Sequence, residues 1–272
     1  MQFAKIIVLE IFVSLCQNSD LIKASVRRDV LARYRGSILG LFWSFLNPLL
    51  MLLIFTFVFS VIFQARWGEA SASKVEFGLI LFIGLIMFNL FSETLQRAPD
   101  LITANTNYVK KVVFPLEILP LVSVLSAIFH ASISLVAWLL VYAVFVGTPQ
   151  VSAFYLPLIL LPVCVFLFGF SLFLAALGVY LRDVSQIIGP MMTALLFLSP
   201  VFYPVTSFPE EYRFILYLNP LTVIVEQARD ILFWGKIPNV LKLGSFWIFS
   251  LIVGLLGFVW FKKVRNGFAD VL

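Results

Sequence analysis

The sequence predicts an all-α integral membrane protein with six transmembrane helices, an N-terminal amphipathic interface helix, and short re-entrant outer helices between spans five and six. Three observations predict this class. Of the 272 residues, 62% are apolar and only 12% are charged, against about 45–50% and about 25% in an ordinary soluble domain. Long runs such as 158–177 are apolar on every side. So much apolar surface exceeds what a core of this size can bury, so the bilayer must solvate much of it. Barrel strands alternate apolar and polar residues over about ten positions, and these runs do not. A soluble enzyme, a disordered chain and a secreted disulfide scaffold are excluded.

The chain reads as one transmembrane domain over 1–272, with a cytoplasmic segment 1–37, six spans within 38–261, and a cytoplasmic tail 262–272. Residues 6–16 form an apolar run that Glu10 interrupts, with no small-x-small cleavage site after it and Leu15 before Cys16. This favours a segment lying on the membrane over a signal peptide. Residues 21–35 turn basic, with Lys23, Arg27, Arg28, Arg33 and Arg35. Ile22, Val26, Val30 and Tyr34 recur every fourth position, an apolar helix stripe suited to the headgroup layer. A crossing needs about 20 apolar residues. The six candidates are 38–63, 77–91, 116–146, 154–180, 187–203 and 241–261, the second short by itself.

Basic residues orient these spans. One side holds thirteen: Lys5 and the five just named, then Arg97, Lys110, Lys111, Arg182, Lys262, Lys263 and Arg265. The other holds six: Arg66, Lys74, Arg213, Arg229, Lys236 and Lys242. The positive-inside rule then puts both termini in the cytoplasm. The net charge of +5 is read the same way, and no nucleic-acid partner is expected.

Two connections exceed simple turns. In 93–115, Pro99 should disturb the helix, Asp100 could cap the next one, and 103–111 reads as a short surface helix. In 205–240, half-apolar and broken by Pro209, Pro220 and Pro238, neither half can span. Two short helices around Asn219-Pro220 fit, dipping into the outer leaflet where protein shields the broken backbone.

Chemistry-bearing motifs are few. No phosphate-binding GxxxxGK[ST] occurs, and no GxSxG or HExxH. Cys16 and Cys164 lie far apart and His130 is the single histidine, so no metal ligand set is expected. Ser126, His130 and Ser134 share one helix face. They form either an interhelical hydrogen-bonded seam, the favoured reading, or a polar lining that contacts substrate. Gly169, Ala175, Ala176 and Gly178 suggest close helix packing. Among the abundant aromatics, Phe42, Trp43, Phe45, Phe197, Phe202 and Tyr203 could line a path, because sugar rings stack their C–H faces on aromatic faces.

Four stretches carry a resemblance. They are Arg28-Asp29-Val30-Leu31-Ala32-Arg33-Tyr34-Arg35-Gly36-Ser37 with Leu39-Gly40-Leu41-Phe42-Trp43-Ser44 and Asn47-Pro48-Leu49; Asn105 with Lys110-Lys111-Val112 and Phe114-Pro115-Leu116-Glu117-Ile118-Leu119-Pro120; Ser199-Pro200-Val201-Phe202-Tyr203-Pro204; and Asn219-Pro220-Leu221-Thr222 with Glu226 and Arg229. Together, in order along nearly the whole chain, they resemble the membrane subunits of ABC-2 type polysaccharide exporters, which export O-antigen, capsule or teichoic acid.

The resemblance implies a homodimeric permease of the bacterial inner membrane with two copies of a separate P-loop ATPase. That partner would bind ATP and Mg, and this chain would need no cofactor. The cargo would be a polyprenyl-diphosphate-linked polysaccharide, most nearly O-antigen, taken from the cytoplasmic leaflet among membrane lipids. ATPase coupling would fall to Arg27, Arg28, Asp29, Arg33, Arg97, Asp100, Thr103, Asn105, Asn107 and Tyr108. The substrate path would use Tyr34, Arg35, Phe42, Trp43, Phe45, Asn47, Phe197, Phe202 and Tyr203. An outer gate would use Asn219, Pro220, Glu226 and Arg229.

The basic residues from Lys23 to Arg35 could also attract the lipid diphosphate. Tilting of the interface helix together with 94–111 is the expected lever. Rival readings are a teichoic acid, capsule, small-lipid or drug exporter, a passive channel, and a membrane-embedded glycan-processing enzyme using Glu93, Glu117, Glu226 and Asp230.

Overall fold

The computed structural model describes residues 17–62, 67, 73–110 and 114–272. The predicted run 6–16, Lys5, Phe63, Arg66, Lys111 and Val112 lie outside the described residues. Every regular element among the described residues is helical.

Helix α1, Ser19–Arg33, is the basic amphipathic segment. Ile22 and Val30 are buried, and Ile22 and Val26 pack with Ile118 and Val122. The apolar stripe is therefore the docking face, and the basic residues fall largely outside it. After a turn through Gly36 and Gly40, both at positive φ, the chain enters a helical stretch over Gly40–Ile62. This comprises a 3-10 turn, α2 at Trp43–Phe55 and a wider π-type stretch at Thr56–Ile62.

Helix α3, Lys74–Arg97, is the hub of the molecule, with almost every residue from Phe77 to Phe88 buried. It runs 24 residues, not the fifteen of the predicted span 77–91. At its start, Ser73 Oγ accepts the Glu76 amide at 3.1 Å, a proper N-cap. At its other end, Glu93 and Arg97 bond to partners on other helices, while Gln96 donates to Ser92 Oγ of its own helix at 2.6 Å.

The connection that follows is a 3-10 turn at Ala98–Asp100, another at Thr103–Asn105, and α4 at Thr106–Lys110. The short surface helix is as expected. The Asp100 cap is not: the chain stays helical through Leu101, so Asp100 lacks the extended backbone of an N-cap, and Thr103 Oγ1 instead donates to its carbonyl at 3.1 Å.

Helices α5, Ile118–Phe145, and α6, Leu156–Tyr180, match the third and fourth predicted spans closely. Helix α7, Val184–Leu198, is fifteen residues long and stops short of the predicted end at 203. The cause is Pro200, which drives the residue before it out of the α region; Ser199 is extended at φ −107°, ψ 150°. Two short helices then follow as predicted, α8 at Arg213–Leu218 and α9 at Pro220–Leu232. Helix α10, Val240–Val264, and a final turn, α11 at Phe268–Val271, complete the chain.

Among the described residues, five helical stretches are long and apolar enough to cross a membrane: Gly40–Ile62, Lys74–Asp100, Ile118–Phe145, Val151–Tyr180 and Val240–Val271. Helix α7 is apolar but shorter.

The expected close packing occurs where the small residues stand. Gly169 of α6 meets the backbone of Gly254 in α10, and Gly257 in turn lies on the Gly169 carbonyl; a Cβ at either position would collide with backbone. Gly178 lets the Pro99 carbonyl approach α6 in the same way. In lipid, where apolar burial gives little drive, such contact is what holds helices together.

Candidate functional site

A cavity of about 700 Å³ lies among α1, α2, α3 and α5. Its wall carries Arg33, Tyr34, Trp43, Ser44, Asn47, Asn89, Ser92, Glu93, Gln96, Arg97, His130 and Ser134. So many polar groups within apolar helices are expected only around a water-accessible or ligand-bearing space.

The centre of this wall is a three-residue node. Arg33 Nη1 donates to Glu93 Oε1 at 2.7 Å. His130 Nδ1 lies 2.8 Å from that same carboxylate oxygen and 2.8 Å from the guanidinium. Glu93 and His130 are nearly buried, whereas the Arg33 side chain is half-exposed. The Tyr34 ring meets His130 edge-on at 6.1 Å. His130 thus makes the interhelical bond of the seam reading and also lines the cavity. Its helix neighbours do less: Ser134 Oγ donates to the His130 carbonyl of its own helix at 2.9 Å, and Ser126 is buried.

One turn along α3, Arg97 forms a two-pronged bond to Asp29 of α1, at 2.9 and 2.6 Å. Burial, the largest single influence, raises the Asp29 pKa, but hydrogen bonding and the Arg97 charge together overcome it and hold the carboxyl below the usual carboxylate range. Arg28 of α1 donates to the Tyr108 hydroxyl of α4 at 3.0 Å, and Tyr108 stacks on Phe114 at 4.4 Å. Asn105 donates to the Leu101 carbonyl at 2.9 Å and so shapes the connection. Arg27, Arg35, Asp100 and Asn107 are exposed, and Thr103 is half-buried. Of the coupling candidates, the structure therefore joins Arg28 to Tyr108 and Asp29 to Arg97, and draws Arg33 into the cavity node.

The substrate-path candidates fall into separate groups. Tyr34, Trp43 and Asn47 line the cavity. Phe42 and Phe45 pair at 6.3 Å, with Phe42 exposed. Phe197 and Phe202 join Phe55 and Phe59 of the first span: Phe202 stacks on Phe59 at 5.0 Å and lies 5.8 Å from Phe197. Tyr203 stacks on Phe208 at 6.0 Å and donates to the Phe197 carbonyl at 2.9 Å.

At the opposite end of α3, Arg229 of α9 is buried. Its Nε donates to the Ile80 carbonyl at 3.0 Å, Nη2 to Val201 at 2.7 Å, and Nη1 to Pro200. Its guanidinium lies 4.2 Å over the Trp67 ring. Gly84 makes room: a Cβ there would stand 2.6 Å from Arg229 Nη2. Asn219 accepts the Leu221 amide at 3.0 Å, capping α9 above Pro220, and donates to Ser199 Oγ at 2.8 Å. Glu226 is 3.8 Å from Lys242. The four outer candidates thus share one end, where Asn219 and Arg229 bind the residues that follow α7.

Three residues of these clusters stand outside the coupling, path and gate expectations: Glu93, His130 and Trp67. Glu93 stood out as a carboxylate at the edge of an apolar run, and His130 as the single histidine of a span. Nothing local in the sequence links these two, which stand 37 positions apart.

A helical bundle of membrane-crossing length, with a polar cavity and a basic helix clamped to its polar connection, is the membrane component of a transporter. The chain belongs to the ABC-2 type transporter family, which matches residues 20–233. It is 26% identical over 257 residues to the O-antigen export system permease protein RfbA of Klebsiella pneumoniae, covering 93% of this chain and 95% of that protein. The RfbA of Myxococcus xanthus is 27% identical over 258 residues, with 94% and 96% covered. The polysialic acid transport protein KpsM of Escherichia coli is 24% identical over 244 residues, with 89% and 92% covered. The family makes this chain a transporter membrane subunit rather than an enzyme.

Proposed function

We propose that this chain is the permease of an ATP-driven exporter that moves a lipid-linked polysaccharide, most nearly O-antigen, from the cytoplasmic to the outer side of the inner membrane. One observation carries the reading: α1 is bonded both to the polar connection, through Arg28–Tyr108, and to α3 and the cavity, through Asp29–Arg97 and Arg33–Glu93. A push on α1 or on 98–110 therefore reaches the cavity wall through directional bonds. ATP and Mg belong to a separate ATPase, two copies against a homodimer of this chain. Its stroke must favour one channel state over another by contacts that differ between them.

In this reading α2, α3, α5, α6, α7 and α10 are the six crossings, and the basic-residue bias puts both termini in the cytoplasm. Fifteen residues of α7 give about 22 Å of helix against a hydrocarbon core of about 30 Å. The remaining thickness is covered by 199–204 with α8 and α9, which re-enter from the outer side. Bonds from Arg229 to the carbonyls of Pro200 and Val201 support that arrangement, since irregular backbone at membrane depth needs protein partners, and Asn219 adds a bond to the Ser199 hydroxyl. The exposed apolar faces of Gly40–Ile62 and α7, with Leu53, Phe57, Ile187 and Phe197, suit a second copy bordering a shared channel.

The test is purification from the native membrane in mild detergent with every co-purifying chain counted, followed by reconstitution. Two P-loop ATPase chains per two copies of this chain, with ATP-dependent glycan movement, is the expected result. Nucleotide-independent flux, or a glycan-modifying reaction by the isolated chain that Glu93→Gln and Glu226→Gln abolish, would overturn the proposal.

A further inference from the structure

The segment after α10 folds back into the same end of the bundle that carries the connection. A 3-10 turn at Arg265–Gly267 redirects the chain into α11, where Phe268 is fully buried. Its ring lies 5.6 Å from Phe261 and 6.1 Å from Tyr180. The cluster that encloses it contains Leu101 and Ile102 of the connection and Val179 of α6, and Tyr108, Val109 and Leu272 pack onto it. Two polar anchors fix the turn. Tyr180 Oη donates to the Val264 carbonyl at 2.9 Å, and Arg265 Nη1 lies 3.4 Å from Glu117 Oε2 at the start of α5. Gly267 passes close to Tyr180, where a Cβ would stand 2.6 Å from the hydroxyl. A solvated tail needs none of these contacts.

The connection has little order of its own. Its helical pieces are three, three and five residues long, below the length at which helices hold themselves. Its placement comes from what it packs against. One support is α1, through Arg28–Tyr108. The other is the Phe268 cluster. We infer that Phe268, with the segment 265–272, is a positioning brace that holds the connection 98–110 in the one orientation able to transmit a partner's stroke into the bundle. The inference rests on the coupling reading above.

The test uses the full chain with its ATPase in lipid nanodiscs. Spin labels go on two exposed positions, Ala104→Cys in the connection and Arg182→Cys after α6, in a Cys16→Ser, Cys164→Ser background. Two quantities are read: the width of the label–label distance distribution, and ATP hydrolysed per glycan exported. Phe268→Ala is expected to broaden the distribution and to raise the ATP cost at least about fivefold, the lower end of ordinary coupling factors. Phe268→Leu, which keeps most of the apolar volume, should restore both. If Phe268→Ala fails to fold, Tyr180→Phe, which removes a single hydroxyl, should still raise the ATP cost about twofold.

An unbroadened distribution in Phe268→Ala overturns the brace, as does a broadened one with an unchanged ATP cost. If the unaltered complex exports nothing with ATP, the coupling reading fails, and the distance distribution still decides whether the connection is braced.

Discussion

Arginines join both ends of α3 to other helices, and they do so in different chemistry. At the Glu93 end, Arg33 and Arg97 meet carboxylates, around a 700 Å³ cavity and with both guanidinium groups partly exposed. At the Phe77 end, Arg229 is buried on the carbonyls of Ile80, Pro200 and Val201 and under Trp67. An ion pair beside water can exchange one partner for another or for solvent at small cost. A guanidinium sunk among carbonyls cannot, because those acceptors are fixed in the backbone and leaving them unpaired is expensive. The first arrangement permits rearrangement, and the second fixes α9 and the end of α7 to α3. Motion should therefore concentrate at the α1 end.

The largest expected effect attacks the fixed end. Arg229→Leu removes the donors of three buried carbonyls, at about 1–3 kcal/mol for each left unsatisfied. It should lower the yield of folded protein and the unfolding temperature in detergent sharply. Arg229→Lys, which cannot reach three acceptors in a plane, should recover only part. A folded, thermally normal Arg229→Leu protein would break the comparison. Next comes Gly84→Ala, whose methyl meets Arg229 Nη2 at 2.6 Å and Val201 Cα at 3.3 Å. Overpacking of this kind costs about 1–3 kcal/mol. In an Arg229→Ala background much of that cost should disappear, so a double-mutant cycle on unfolding temperature should show strong coupling.

What could be read from the sequence follows local periodicity. The stripe Ile22, Val26, Val30 and Tyr34 announced α1 and its buried face, because helix periodicity is written into neighbouring residues. The long apolar runs announced α5, α6 and α10 nearly to the residue. The Asn219-Pro220 pair marked the start of α9, since asparagine caps and proline suits the first turn. Helix α3 runs past its predicted end because Glu93 and Arg97, which read locally as the start of a loop, are bonded to Arg33, His130 and Asp29, far away in sequence. The Asp29–Arg97 pair spans 68 positions, and a single chain carries no local signature of such a pairing. Arg229 was marked as a gate residue, but its carbonyl acceptors could not be read, because every residue has a carbonyl.

The α1 end should respond in the opposite sense, losing coupling before stability. Asp29→Arg or Arg97→Asp alone places like charges together. Each should cut ATP-driven export about tenfold, within the usual range of coupling energies, while the unfolding midpoint shifts little because these groups are partly exposed. The double exchange, Asp29→Arg with Arg97→Asp, should restore a substantial part of export. Singles that unfold the protein, or an exchange that restores nothing, would count against a load-transmitting pair. His130→Asn keeps one polar contact to Glu93 and should reduce export less than either charge reversal.

The smallest effect is that of pH on the Asp29–Arg97 bond. The folded pKa of Asp29 is lowered, so the pairing is fully present above the unfolded value near 3.9 and is lost only as pH falls through the lower folded one. Between about pH 6 and pH 8, far above both values, the α1–α3 bond should not change. A spin-label distance between α1 and the end of α3 should therefore stay constant across that range. Any pH dependence of export over the same interval must then arise elsewhere.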